Sequence, residues 1–188
     1  MTQTVATNPG LAGRRILLAV TGGIAAYKAL LLVRALTEAG AEVRVVMTAH
    51  ATEFVTPMSF QALTGHPVRT ALFDADHEAA MGHIELARWP DLVVVAPCTA
   101  NTLAKAALGL ADDLLSTLLL ATDKPVLLAP AMNRLMWQHP ATRQHLDTLI
   151  ARGVICVGPG EGAQACGETG AGRMSEPPEI VDAVVAHF

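Results

Sequence analysis

Three observations predict an α/β fold, a doubly wound parallel sheet in a single domain. Short apolar runs alternate with segments of helical period, the strand runs are continuously apolar, and the small polar motifs follow strands. Continuous Val/Leu/Ile runs mark strands covered on both faces. Strands separated by helices give a parallel sheet with right-handed crossovers, and such a sheet binds ligands at the carboxyl ends of its strands.

Arg15–Val20 reads as the first strand and ends at Gly22-Gly23. The following segment carries Ile24, Tyr27, Leu31 and Ala35 on one helical face, and Gly40 stops it. Glu42–Met47 reads as the second strand. An irregular stretch punctuated by Pro57, Gly65 and Pro67 then predicts short helices. The Leu-Val-Val-Val run makes 91–96 the clearest strand. Helical patterns at 100–108 and 112–121, a strand at 125–129, a helix over 140–152 closed by Gly153, and a short strand at 154–157 follow. Residues 158–175 hold six glycines and one proline, which predicts a long loop of the kind that serves as a lid. A helix over 179–187 closes the chain. Residues 1–13, polar and rich in Thr, Ala and Gly, are expected to form a flexible leader, leaving 14–188 as the domain.

The chain has 188 residues, 52% hydrophobic and 16% charged, a composition that excludes disorder. A net charge of −4 and the absence of any basic cluster argue against nucleic acid as a partner. The longest apolar stretches, 114–121 and 126–132, are too short to span a bilayer, so no membrane partner is expected. Cys98, Cys156 and Cys166 lack metal-ligand spacing and cannot all pair, which predicts no metal site and a reducing cytoplasm. Cys98 and Cys156 lie in or beside apolar strands and read as buried and inert. Cys166, in the glycine-rich segment, is poorly placed for packing, and reactivity is the better reason for it.

Thr21-Gly22-Gly23 lies between a strand and a helix start, where free N–H groups and the helix dipole favour a phosphate; the glycines would equally serve a tight turn. Neither G-x-x-x-x-G-K-[ST] nor G-x-G-x-x-G occurs, and Val46-Met47-Thr48 lacks an acidic ribose ligand, which weighs against a P-loop enzyme and against NAD. Pro97-Cys98-Thr99-Ala100-Asn101-Thr102 offers small hydroxyl and amide groups after a strand, as ligand contacts or as a helix cap by Thr99. His83 precedes an apolar run and suits either a structural or a proton-transfer role. In Pro130-Ala131-Met132-Asn133-Arg134-Leu135-Met136-Trp137, Asn133 could cap a helix, or stand as the polar handle of an apolar pocket.

Together these motifs resemble the homo-oligomeric flavin-containing cysteine decarboxylase family. The resemblance covers about 15–180 and rests on residues 20–28, Gly82-His83-Ile84, P-x-M-N-x-x-M-W at 130–137, and Ala165-Cys166-Gly167. It implies a Rossmann-like flavoprotein with FMN as cofactor, held by Gly22, Gly23, Ile24, Thr48, Phe54, Thr99, Ala100, Asn101 and Thr102. It makes His83 and Asn133 catalytic, Asn133 holding the substrate carboxylate, and Cys166 the proton donor. Ala131, Met132 and Met136 would border the substrate. The small-molecule substrate it implies is 4′-phospho-N-pantothenoyl-L-cysteine, decarboxylated to 4′-phosphopantetheine in coenzyme A biosynthesis through a thioaldehyde and an enethiolate. The A-C-G-x-x-G-x-G-R-M pattern favours this substrate over a peptide ending in cysteine, and the three retained catalytic residues argue against a non-catalytic regulatory flavoprotein. Relatives often carry a small residue at the position of Cys98 and Asp at that of Asn101, changes compatible with flavin binding. The family implies a homotrimer or dodecamer, and in bifunctional members a phosphopantothenate–cysteine ligase domain follows.

Overall fold

A computed structural model describes residues 10–72 and 82–188. Strands β1 (Arg15–Val20), β2 (Glu42–Met47), β3 (Leu92–Cys98), β4 (Val126–Pro130) and β5 (Ile155–Cys156) form one parallel sheet in the order β2-β1-β3-β4-β5. Alternate residues of each strand face opposite sides. Ile16, Leu18 and Val20 enter one apolar cluster, while Leu17 and Ala19 enter the other. Both sides are covered, which is why β1 and β3 are apolar without interruption.

The first side is covered by α1 (Ala26–Glu38), α2 (Pro57–Thr64) and α8 (Pro177–His187), which contribute Leu32, Phe60 and Ile180. The second side carries α3 (His83–Arg88), α4 (Ala100–Leu108), α5 (Leu114–Ala121), α6 (Arg134–Gln138) and α7 (Pro140–Ala151). Local chemistry fixes several starts. The Thr99 side chain accepts from Thr102 N to cap α4, and Asp113 with Ser116 forms a reciprocal capping box at α5. Glu176, Glu179 and the early prolines do the same for α8. No helix among the described residues is long and apolar enough to cross a membrane.

Four expectations change. The helix face bearing Ile24, Tyr27 and Leu31 is not the buried one: these side chains are 61%, 52% and 53% exposed. The sheet is met by Ala26, Ala29, Leu32, Val33 and Leu36. Both faces of α1 are apolar, so periodicity could not choose between them, and the alanines let the backbone approach the strands. Leu11 lies in the expected leader but is fully buried, with its N–H bonded to Ala39 O at 3.1 Å, so packing begins before residue 14. Cys156 is half-buried, not buried. Finally, 158–175 is not a structureless loop. Strands β6 (Gly160–Ala163) and β7 (Thr169–Arg173) pair antiparallel into a separate hairpin. Its glycine content imitates a loop because Gly162, Gly170 and Gly172 adopt positive φ within the strands.

Candidate active site

The carboxyl ends of β1, β2, β3 and β4 open into a cleft of about 990 Å³, and the β6–β7 hairpin closes one side of it. Its floor lies where β1 is flanked by β2 and β3, the point at which strand order reverses and parallel sheets bind ligands.

At the sheet end the wall is rigid. Thr21 is buried; its Oγ1 donates to Pro97 O at 2.7 Å and accepts from Thr99 N at 3.2 Å, tying the β1 and β3 exits together. Gly22 borders His50 so closely that a Cβ would overlap that side chain, so only glycine fits the turn. Gly23 and Ile24 continue this wall, and Thr99, Ala100, Asn101 and Thr102 form the opposite one. Thr48 Oγ1 is buried in the cleft wall and has no hydrogen-bond partner among the described residues. A buried orphan hydroxyl is costly unless something supplies its partner.

The other end is built from the turn after β4. Met132 N donates to Gly172 O at 2.9 Å, which lays β7 against Met132 and Asn133. Gly172 has φ 135°, and a Cβ there would overlap Met132 O, so this approach of two backbones requires glycine. Asn133 Oδ1 accepts from Leu135 N at 2.8 Å and caps α6. That bond turns Nδ2 toward the hairpin, where it donates to Glu168 Oε2 at 2.6 Å and lies 3.5 Å from Cys166 Sγ. Capping α6 and turning the amide nitrogen toward the hairpin are one arrangement here, not alternatives. Cys166 is exposed, whereas burial drives the thiol of fully buried Cys98 far above its ordinary range and also raises that of Cys156.

Of the residues singled out from sequence, Gly22, Gly23, Ile24, Thr48, Thr99, Ala100, Asn101, Thr102, Ala131, Met132, Asn133, Met136 and Cys166 all line this cleft. Phe54 and His83 do not. Phe54 is exposed beyond the short 3₁₀ turn Ala49–Glu53, and half-buried His83 opens α3. The preceding residues, 73–81, lie outside the described part.

Sequence reasoning missed Tyr27, Lys28, His50, Lys105, Asp113 and Gln164, which also line the cleft. Lys28 Nζ is buried and reaches Glu176 Oε1 at 2.6 Å and Met174 O at 3.3 Å, pinning the end of the hairpin to α1. Lys105 Nζ sits 2.7 Å from both Asp112 and Asp113. Hydrogen bonds to those aspartates raise its pKa, and Lys105 in turn lowers Asp112. Burial pushes Asp113 upward, but its bonds to Lys105 and Ser116 outweigh this and leave it lowered. The position of Lys28 in the first turn after Gly22-Gly23 was the one legible signal; the others needed the fold.

A flavin mononucleotide needs side-chain-free backbone for its phosphate, hydroxyls for its polar edges and a broad slot. Gly22-Gly23, Thr48 with its orphan hydroxyl, and Thr99 with Thr102 meet these needs, so the residues present fit the group. Among the described residues no three His, Cys, Asp or Glu side chains gather into a metal site.

Comparison with known proteins agrees with this geometry. The bifunctional coenzyme A biosynthesis protein CoaBC of Escherichia coli K12 is 54% identical over 178 residues, which is 95% of this chain and 44% of that protein. The chain thus spans less than half the length of the relative it matches. A solved PPC decarboxylase mutant complexed with pantothenoylaminoethenethiol superposes with a TM-score of 0.81 at 38% identity, covering 93% of this chain and 97% of the other. The FMN binding protein AtHal3 gives a TM-score of 0.79, also at 38% identity, over 93% and 96% of the two chains. With a match across residues 5–188, the chain belongs to the Flavoprotein family.

Proposed function

We propose that this chain uses FMN to decarboxylate 4′-phospho-N-pantothenoyl-L-cysteine to 4′-phosphopantetheine in coenzyme A biosynthesis. One observation carries the reading: the Asn133 amide and the Cys166 thiol, 3.5 Å apart, stand at the hairpin end of a cleft whose sheet end fits a flavin. The relatives that match by sequence and by structure bear names of this pathway and of this decarboxylation.

When bound, FMN supplies the reversible acceptance of electrons that loss of CO₂ from a cysteine Cα requires. The residues of the chain supply orientation and protons. Asn133 Nδ2 donates to the substrate carboxylate while its Oδ1 remains tied to Leu135 N, so the amide cannot rotate away. A neutral donor suits this position: a cation would hold the ground-state carboxylate too firmly, whereas catalysis needs preference for the transition state. Cys166 carries a proton on Sγ at an exposed point of the hairpin and delivers it to the decarboxylated carbon. The hairpin, seated on Met132 through Gly172, excludes water from the reacting carbon. The role of His83, as base or electrostatic partner, rests on the family resemblance.

A homo-oligomer, a trimer or a dodecamer built from trimers, is part of the same proposal. Ile24, Tyr27 and Leu31 present an exposed apolar stripe along α1, beside the cleft that Ile24 and Tyr27 also line. Association would cover it. A fused ligase domain, present in the bifunctional relatives, belongs to the proposal for the whole protein.

The test is to incubate FMN-loaded protein with 4′-phospho-N-pantothenoyl-L-cysteine and, in parallel, with a cysteine-ending peptide, following CO₂ loss by mass. Loss from the first and not the second is expected. Protein that binds no FMN, or that decarboxylates only the peptide, defeats the reading.

A further inference from the structure

The turn of the β6–β7 hairpin contains a carboxylate that the proposed chemistry leaves unused. Glu168 places Oε2 2.6 Å from Asn133 Nδ2, and its Oε1 lies 3.6 Å from the Arg134 guanidinium. The two oxygens therefore face an amide donor and a cation on consecutive residues. Cys166 Sγ lies 3.8 Å from the same Oε2, so one oxygen serves both residues of the proposed reaction. Among the described residues Asn133 Nδ2 also meets Cys166 Sγ and Gln164 Oε1, each at 3.5 Å, and that Oε1 is already engaged by Arg134 N at 3.1 Å. Glu168 is thus the principal occupant of the Asn133 donor.

Asn133 Nδ2 is also the atom proposed to hold the substrate carboxylate. Nδ2 has two N–H groups, but carboxylates on both would crowd two like charges around one nitrogen, where they repel. We propose that Glu168 stands in the place of the substrate carboxylate in the free protein and yields it when substrate enters. Glu168 is a positioning and specificity-determining residue. An incoming ligand displaces it only by bringing a carboxylate of its own, and its departure releases Cys166 from the shared oxygen. Carboxylate recognition is thereby coupled to freeing the proton donor. The displaced side chain has somewhere to go, because Glu168 is 36% exposed and adjoins Arg134. This inference rests on the decarboxylase reading.

Two unreactive probes test it. One is 4′-phospho-N-pantothenoyl-L-serine, which keeps the carboxylate and replaces the thiol by hydroxyl; the other is the corresponding ethanolamide, which lacks the carboxylate. Calorimetric titration of the FMN-loaded protein compares wild type with Glu168→Ala and Glu168→Gln. Removing an exposed, charge-assisted competitor predicts about three- to tenfold tighter binding of the serine compound to Glu168→Ala, with the ethanolamide unchanged within about twofold. Glu168→Gln keeps an acceptor for Asn133 without the charge, so it should shift in the same direction by less, and it preserves the test if the alanine variant folds poorly. An equal shift for both probes, no shift, or weaker binding of the serine compound overturns the proposal while leaving the decarboxylase reading intact. Wild-type protein that holds FMN yet binds neither probe overturns both.

Discussion

The two ends of the cleft are made of different material. The sheet end stands on the strand exits, where Ile16 through Val20 are fully buried and Thr21 ties β1 to the β3 loop. The hairpin end is a two-stranded ribbon in which, over 160–173, only Gly172 is buried. It is held by the Met132–Gly172 backbone bond, by Gln164, and by polar contacts of Asn133 and Arg134 with Glu168. An isolated two-stranded hairpin is marginal in water. The difference separates tasks: the cofactor place is preformed by the core, and the groups assigned to substrate and proton sit where local opening is cheap.

The largest expected effects lie at the hairpin end and should spare the other. Cys166→Ser removes the proposed proton donor, and Asn133→Asp opposes the substrate carboxylate with a like charge. Each should lower kcat by about 10²-fold or more while the purified protein stays yellow. Formation of 4′-phosphopantetheine under multiple turnover, followed by mass beside the flavin absorbance, measures both. A wild-type rate in Cys166→Ser would remove that thiol from the reaction, and colour lost in either variant would show that the two ends are not independent.

The mirror experiment is Gly22→Ala. The added methyl overlaps His50, and relieving it moves the turn on which the flavin phosphate is proposed to rest. Overpacking of this kind costs about 1–3 kcal/mol. FMN affinity should therefore fall by about tenfold or more, measured by fluorescence quenching on titration, with tryptic cleavage after Arg173 unaffected. Faster cleavage there would mean that the strand exits also hold the hairpin.

The same division decided what the sequence could disclose. The strand exits were legible because their signals are local: a continuous apolar run, then glycine or threonine, then a helix start. Asn133 and Cys166 were legible only through their motif context, since which loop meets which across the fold is not written in local pattern. Two misreadings have physical causes. Glycines at positive φ disguised two strands as a loop. The α1 helix is apolar on both faces, so its exposed stripe imitated a core stripe. Lys105 and Gln164 gave no signal because each acquires its partners only across the fold.

A smaller effect is expected from Gln164→Ala. Its amide donates to Met132 O and Ala171 O, both at 3.3 Å, and accepts from Arg134 N at 3.1 Å. Losing these bonds should cost about 1 kcal/mol of local stability, which makes tryptic cleavage after Arg173 about fivefold faster. Since the hairpin contributes little to the core, Tm should barely change. A large fall in Tm would contradict the separation, because the hairpin would then be part of the cooperative unit.

The smallest effect comes from the ion pairs of Lys105 on the sheet side of the cleft, and pH sets its window. Asp112 and Asp113 are held below their usual 3.8, so their contribution is present above that value and is lost as pH falls through the lowered folded values. Lys105 is raised above 10.5, so its contribution is complete below that value and is lost as pH climbs through the raised one. Lys105→Met should therefore lower Tm by a constant amount across neutral pH, and wild type and variant should converge toward acid. Asp112 is largely exposed and Asp113 partly so, which keeps the contribution small, and Tm should fall by about 1–3 °C. Melting curves between pH 2 and pH 8 measure the difference directly. Because Lys105 bridges the α4 helix to the start of α5 and leaves the hairpin untouched, cleavage after Arg173 should not respond at any pH. A gap in Tm that widened toward acid would reverse the sign of the linkage and show that Lys105 stabilises the fold by something other than its aspartate pairs.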